Sequence, residues 1–171
     1  MIAQTRGWEA VGVEISSWAV NEGRKNSLNI VEGSLLKAKF PSDHFDAVTM
    51  FDVLEHLSHP REYVKEIHRV LKPGGVLIVE TPNVDGFFAK HVYRENAYLV
   101  KPHSHICLYS LKSAARLIAN VRFRSVRMAR FPYCRKITLA YLKDVVASRL
   151  LKGRSPVQLT FNDSLRILCW K

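Results

Sequence analysis

The feature that most constrains the fold is an alternation between short apolar runs and segments with helical periodicity. The runs 10–14, 28–32, 46–51 and 76–81 are each short and largely apolar, a pattern typical of strands that are buried on both faces of a parallel sheet. The run 46–51 is apolar on both faces, so we expect it to be a central strand. This alternation predicts an α/β fold: a mostly parallel, Rossmann-like sheet with flanking helices.

Helical patterns fill the intervals between these runs. Ser16 or Ser17 can cap a helix that continues to about Lys25. The clearest helix starts at Pro60, carries a single apolar stripe, and is expected to end at Pro73-Gly74-Gly75. The stripe consists of Tyr63, Val64, Ile67, Val70 and Leu71.

The second half of the chain is less regular. Residues 82–109 show no clear periodicity, and a loop of that length in a compact domain is usually a lid or a binding loop. We expect a helix over 110–120, a strand over 124–131, a basic amphipathic helix over 137–151 and a last strand over 165–170.

The 171 residues point to one domain, and their net charge of +11 is unevenly distributed. Residues 1–100 contain 11 basic and 13 acidic side chains, whereas residues 101–171 contain 15 basic and two acidic ones. The second half could therefore meet an anionic partner such as a membrane surface, or simply present a solvated basic face. No RRM, KH or helix-turn-helix signature is present, so nucleic acid is a less favoured partner.

Location follows from what the sequence lacks. No apolar run approaches the roughly 18 residues needed to cross a bilayer, and the first residues do not form a signal peptide. We expect a cytoplasmic protein, with peripheral membrane contact left open. Cys107, Cys134 and Cys169 are far apart and odd in number, which favours reduced thiols over disulfides.

Histidine pairs raise the question of a metal site. His56 with His59, and His103 with His105, are close in sequence, but neither pair has a carboxylate or cysteine set at ligand spacing. We therefore expect no metal.

Three segments carry a family resemblance. Gly7–Ser16 ends a strand in an acidic residue, Phe45–Leu57 joins a strand to a Glu-His loop, and Leu71–Asn83 contains a Pro-Gly-Gly junction before a strand. In this order they resemble class I S-adenosylmethionine-dependent methyltransferases, especially the small-molecule group that includes quinone O-methyltransferases. The resemblance covers residues 7–125, and residues 126–171 form a basic C-terminal part of the same domain.

The resemblance implies S-adenosylmethionine as cofactor and a small-molecule, carrier-linked or lipid-linked acceptor. Glu14 would accept hydrogen bonds from the ribose diol, as acidic strand ends do in nucleotide-binding folds; the alternative is a solvated carboxylate. Backbone groups at Gly33 and Ser34 would meet the adenine, or form an ordinary turn. The implied cofactor-binding residues are Glu14, Ile15, Gly33, Ser34, Leu35, Phe51, Asp52 and Val53.

Two residues after the third strand are candidates for catalysis. His56 could act as a general base, since the ordinary pKa of histidine is near neutrality, and Glu55 could orient it. The alternative for His56 is a structural hydrogen bond. A base is optional, because methyl transfer is an in-line displacement that depends mainly on alignment and on excluding water.

One part of the family pattern is not found. Only 13 residues precede Glu14, and they contain no glycine-rich loop and no first strand. Three explanations stay open. The chain is a truncated gene product or its start codon is wrongly assigned; a second chain or a homo-oligomer supplies the strand; or the strands predicted over 10–14 and 46–51 pair directly with each other. A noncatalytic remnant of the fold that serves as an interaction module is the alternative function.

Overall fold

The computed structural model describes residues 2–86, 104–123, 125–128 and 164–171. Its elements are α1 (Ile2–Thr5), β1 (Gly12–Glu14), α2 (Ser17–Lys25), β2 (Ile30–Glu32), β3 (Phe45–Phe51), a 3-10 turn (Leu54–His56), α3 (Pro60–Val70), β4 (Leu71–Pro82), α4 (Leu111–Ala119), β5 (Ser125–Met128) and β6 (Ser164–Trp170).

The described strands form two sheets. β1 and β2 make a parallel pair, while the larger sheet has the order β3-β4-β6-β5. In the larger sheet β3 runs parallel to β4, and β6 runs antiparallel to both β4 and β5. The predicted α/β fold is confirmed. Direct pairing of β1 with β3, one of the three explanations above, is wrong, because these strands belong to different sheets.

β3 is not the fully buried central strand that its composition predicts. Within the described residues it pairs only with β4. Met50 is buried, but Ala47, Thr49 and Phe51 are exposed. An apolar strand is buried on both faces only where elements cover both of them; here part of β3 is left uncovered.

The junction between α3 and β4 also differs from the prediction. The helix ends at Val70 and the strand starts at Leu71, so the Pro-Gly-Gly segment lies within β4 rather than stopping the helix. Phe45 pairs with Leu71 and Ala47 with Val76, which makes this segment an irregular, bulged start to the strand. A side chain at Gly75 would place its Cβ 2.9 Å from the Lys72 carbonyl oxygen, which explains the glycine there.

The core forms where the larger sheet meets α3 and α4. Leu77, Ile167, Ile67 and Ile118, from two strands and two helices, are fully buried. Burial of each such side chain stabilises the fold by about 1.5–3 kcal/mol.

α4 confirms the helix expected over 110–120. Ser110 caps it, and Ser110 and Ser113 form a reciprocal capping box. Ala114 and Ile118 on its inner face are fully buried. No helix in the described ranges is long and apolar enough to cross a membrane.

Several predictions fall outside the described residues. These are most of the loop over 82–109, the ends of the strand over 124–131, the basic helix over 137–151 with its membrane interpretation, and Cys134. Cys107 and Cys169 are free thiols, and burial raises the pKa of Cys169 to about 12.

Candidate active site

The first site residue, Glu14, is fixed at the turn from β1 into α2. Its Oε1 accepts a hydrogen bond of 2.7 Å from the Ser16 backbone N–H. The Ser16 hydroxyl in turn accepts from the Ala19 N–H and caps α2. The half-buried carboxylate therefore stands at the carboxyl end of a parallel strand, as predicted.

A second carboxylate, which the sequence analysis missed, lies beside it. Glu32 is the register partner of Glu14 and ends β2. Its Oε1 accepts a hydrogen bond from the Ser17 hydroxyl at the start of α2. The available signal was an acidic residue directly before Gly33, at the same strand end as Glu14.

The residues after β2 turn away sharply. Gly33 has a φ of +121°, and its N–H donates to the Glu14 carbonyl oxygen over 2.8 Å. The Ser34 carbonyl accepts from Lys37 and Ala38, so Ser34 begins a tight turn. Leu35 packs against the hydrophobic core, which accounts for that side chain without a ligand.

The end of β3 presents apolar side chains. Asp52 adopts a φ of +51°, and its N–H donates to the Glu80 carbonyl oxygen. Asp tolerates this left-handed conformation better than most residues. The turn leaves Phe51 56% and Val53 39% exposed, and Ile15 after β1 is 76% exposed. Each of these apolar side chains is exposed to a ligand.

Glu55 is held rigidly in the 3-10 turn that follows. Its side chain is 1% exposed, and Oε2 accepts a 2.8 Å hydrogen bond from the Thr81 hydroxyl at the end of β4. Its backbone carbonyl accepts from the N–H groups of Ile106 and Cys107, so the turn is tied to the segment 104–109.

His56 is more accessible than Glu55. Its side chain is 40% exposed, and Nε2 lies 3.9 Å from Glu55 Oε1. Nδ1 lies 2.5 Å from the Ser104 carbonyl oxygen, which can only accept a hydrogen bond. Nδ1 therefore carries the proton, and Nε2 of the neutral ring is left as the acceptor. The predicted Glu55–His56 pair is adjacent in space, but too far apart for a direct hydrogen bond.

His105 and Tyr109 complete this end of the site. The His105 ring meets the His56 ring edge-on with centroids 4.9 Å apart. Burial raises the pKa of Tyr109 well above its usual range, so its hydroxyl keeps its proton, and contact with Cys107 acts in the same direction. In the sequence His105 stands out only as a neighbour of His103, and no local pattern marks Tyr109 or Thr81 as a site residue.

Comparison with known proteins gives the class. Residues 1–127 match the model of a methyltransferase domain family. The chain belongs to this family of class I S-adenosylmethionine-dependent methyltransferases, as its motifs predicted.

Individual relatives match over shorter stretches. A probable S-adenosylmethionine-dependent methyltransferase of Mycolicibacterium smegmatis is 43% identical over 56 residues, which is 33% of this chain and 22% of the relative. A ubiquinone/menaquinone biosynthesis C-methyltransferase of Pseudomonas aeruginosa is 37% identical over 60 residues, or 35% of this chain and 23% of the relative. The match thus covers less than a quarter of either relative.

Solved structures extend the fold comparison over nearly the whole chain. A methyltransferase from Archaeoglobus fulgidus, described as SAM-dependent, superposes with a TM-score of 0.71 and 17% identity, over 99% of this chain and 79% of that one. At this identity the likeness concerns the fold, and it confirms the Rossmann-like architecture.

The described residues fit the nucleoside part of S-adenosylmethionine. Glu14 offers a carboxylate at a strand end, and a Cβ built on Gly33 would meet nothing within 4 Å, so the backbone is open to close approach. Ile15, Phe51 and Val53 offer exposed apolar surface.

Proposed function

We propose that this chain binds S-adenosylmethionine at the carboxyl ends of β1, β2 and β3 and takes part in methyl transfer to a small-molecule acceptor. The observation that carries the proposal is the position of Glu14, at the carboxyl end of a parallel strand in a chain that matches a methyltransferase family over residues 1–127.

Binding is assigned to the residues around the strand ends. The Glu14 carboxylate accepts hydrogen bonds from the ribose hydroxyls, which gives charge-assisted contacts. Ile15, Phe51 and Val53 pack on the adenine, since all three are apolar and exposed and follow the ends of β1 and β3. When bound, the sulfonium of the cofactor supplies an electrophilic methyl group.

Acceptor activation is assigned to the Glu55–His56 pair. The Ser104 carbonyl fixes the His56 tautomer, so Nε2 can take a proton from an acceptor hydroxyl or acidic carbon. Buried Glu55, 3.9 Å from that nitrogen, stabilises the resulting imidazolium by its charge. The pair needs an acceptor that approaches from the exposed side of His56.

An apolar acceptor suits the surroundings of His56. Ile106 is 63% exposed and Leu108 39% exposed, and both lie on the segment tied to Glu55. One relative is described as acting in ubiquinone and menaquinone biosynthesis. A quinone-like or lipid-linked acceptor is consistent with both observations, and the basic second half of the chain would favour meeting it at an anionic membrane surface.

An amide NMR titration of the full chain with S-adenosylhomocysteine tests the proposal. Saturable shifts are expected at residues 14–15, 33–34 and 51–53, with Arg116 on the exposed side of α4 as an unaffected reference. An absence of saturable shifts at these positions would instead favour a noncatalytic interaction module. Transfer of a labelled methyl group to a quinol acceptor then tests the reaction itself.

A further inference from the structure

Glu55, His56 and His105 bring three metal-ligating side chains together. One ligand atom from each lies within 4.8 Å of the other two. The sequence places the histidines 49 positions apart, which is why no ligand set was expected there. We propose that these three residues form a binding site for a divalent transition-metal ion.

The buried carboxylate is the first argument. Glu55 is 1% exposed, and among the described residues its side chain accepts a hydrogen bond only from Thr81, through Oε2. Oε1 faces His56 Nε2 at 3.9 Å, beyond hydrogen-bonding distance. A buried carboxylate oxygen without a donor is costly, and a cation between these two atoms would satisfy it.

Both of these ligands are oriented by a second contact. The Ser104 carbonyl holds His56 through Nδ1 and so leaves the Nε2 lone pair for an ion, while Thr81 holds Glu55 through Oε2 and leaves Oε1 for the same ion. Metal-bound histidines and carboxylates characteristically have such outer partners, which set the tautomer and the ring orientation.

The third ligand is held by backbone contacts. The Glu55 carbonyl oxygen accepts hydrogen bonds of 2.8 and 3.1 Å from the Ile106 and Cys107 N–H groups. These bonds fix the chain directly after His105 to the turn that carries the other two ligands. Three donors on one zinc ion lie about 3.3 Å apart, so from the observed limit of 4.8 Å they need to approach by about 1.5 Å at most.

The donor set indicates which ions would bind. Two imidazoles and one carboxylate suit Zn²⁺, Co²⁺ or Cu²⁺ rather than Mg²⁺ or Ca²⁺, which prefer oxygen ligands. Three protein ligands leave one coordination position open, and His56 is 40% exposed on that side. On the proposed function, an acceptor oxygen would take this position in the ion-bound chain, where the ion would lower the pKa of that oxygen. The general-base role of His56 then applies to the ion-free chain, because one nitrogen lone pair cannot hold an ion and take a proton at the same time.

Metal titration of the chelator-treated full chain tests the site. Zn²⁺ should bind with a stoichiometry of one by calorimetry, and Co²⁺ should develop visible ligand-field absorption. His105→Ala removes a half-exposed ligand and should weaken Zn²⁺ binding by at least about 100-fold. This is more than the loss expected when only a residue that orients a ligand is removed. His59→Ala, an exposed histidine at the start of α3, is the matched control and should bind like the parent chain.

Thr81→Val adds a second readout, because it removes only the hydroxyl that fixes Glu55. It should weaken Zn²⁺ binding about 10- to 100-fold while Co²⁺ absorption persists at higher ion concentration. Absence of stoichiometric Zn²⁺ or Co²⁺ binding in the folded parent chain would overturn the proposal. So would equal affinity in the His105 and His59 variants. Metal binding is measured without S-adenosylhomocysteine, so its failure is separate from a failure of the methyl-transfer proposal.

Discussion

Arg166 and Glu80 form a two-pronged ion pair across strands β6 and β4. The guanidinium Nε and one terminal nitrogen donate to the two carboxylate oxygens over 2.9 and 3.0 Å. The residues are register partners, and their side chains are only 20% and 25% exposed. The backbone carbonyl of Glu80 also accepts a hydrogen bond from the Asp52 N–H. The ion pair is therefore tied to the turn after β3, which belongs to the proposed cofactor site.

Replacement of Arg166 by Met should lower the free energy of unfolding by about 1.5–3 kcal/mol, because it leaves a partly buried carboxylate without its donors. Lys72→Met is the matched control: Lys72 pairs with an Asp46 side chain that is 85% exposed, and solvent screens such a pair, so its loss should change stability much less. Urea denaturation of both variants checks the difference. Equal losses would show that the two-pronged geometry adds nothing.

The pH dependence of stability should contain a contribution from His68. Burial, together with the nearby positive charges of Lys171 and Arg122, lowers the pKa of His68 below its usual value, although Asp43 opposes this. Near pH 7.5 the ring is neutral in both folded and unfolded chains. As the pH falls below about 6.5, the unfolded chain takes up the proton first, so stability is lost.

His68→Leu should therefore reduce the stability loss between pH 7.5 and 5.5, as measured by denaturation at both pH values. His59→Leu controls for the removal of one imidazole from the same helix region. The pKa values of Asp46 and Glu66 are lowered, so these carboxyl groups take up protons only below this pH range and do not contribute to the measured difference. An unchanged loss in His68→Leu would contradict the assignment.

The sequence predicted an element well where contacts between residues close in the chain determine it. The Ser16 cap of α2 and the Ser110 cap of α4 involve atoms three residues away, so the sequence alone indicates both starts. Pro73-Gly74-Gly75 misled the prediction because proline and glycine also accommodate an irregular strand start.

The site could be predicted only in part. Glu14 and the Glu55–His56 pair follow strand ends, which a sequence pattern can locate. His105 and Thr81 are 50 and 26 residues away from Glu55 in the sequence, and only folding brings them close to it. A single sequence contains no signal for such contacts. The exposure of β3 was missed for the same reason: composition shows that a strand can be buried, not that neighbours cover it.

Backbone exchange should distinguish β3 from β4. β4 is paired on both sides, with β3 and β6, whereas β3 pairs within the described residues only with β4. About half of the β3 amides should exchange rapidly, because N–H groups alternate between the two sides of a strand, while those of Leu77 to Val79 in β4 stay protected. Hydrogen–deuterium exchange read by NMR measures this.

Uniform protection along β3 would contradict a free edge. It would instead indicate that a further strand, from a second copy or from another segment of this chain, covers it. Repeating the exchange at several protein concentrations separates a second copy, whose protection increases with concentration, from a strand within the same chain.

The central claim is that Glu14 holds the ribose of the cofactor, and calorimetry with S-adenosylhomocysteine tests it most directly. Glu14→Ala should lose about 1.5–3 kcal/mol of binding free energy, a drop of roughly 10- to 150-fold in affinity, because it removes a charged hydrogen-bond acceptor. Glu9→Ala, which removes an exposed carboxylate just before β1, is the control and should bind like the parent chain. Measurable binding by the parent that is equally strong in Glu14→Ala would contradict the account.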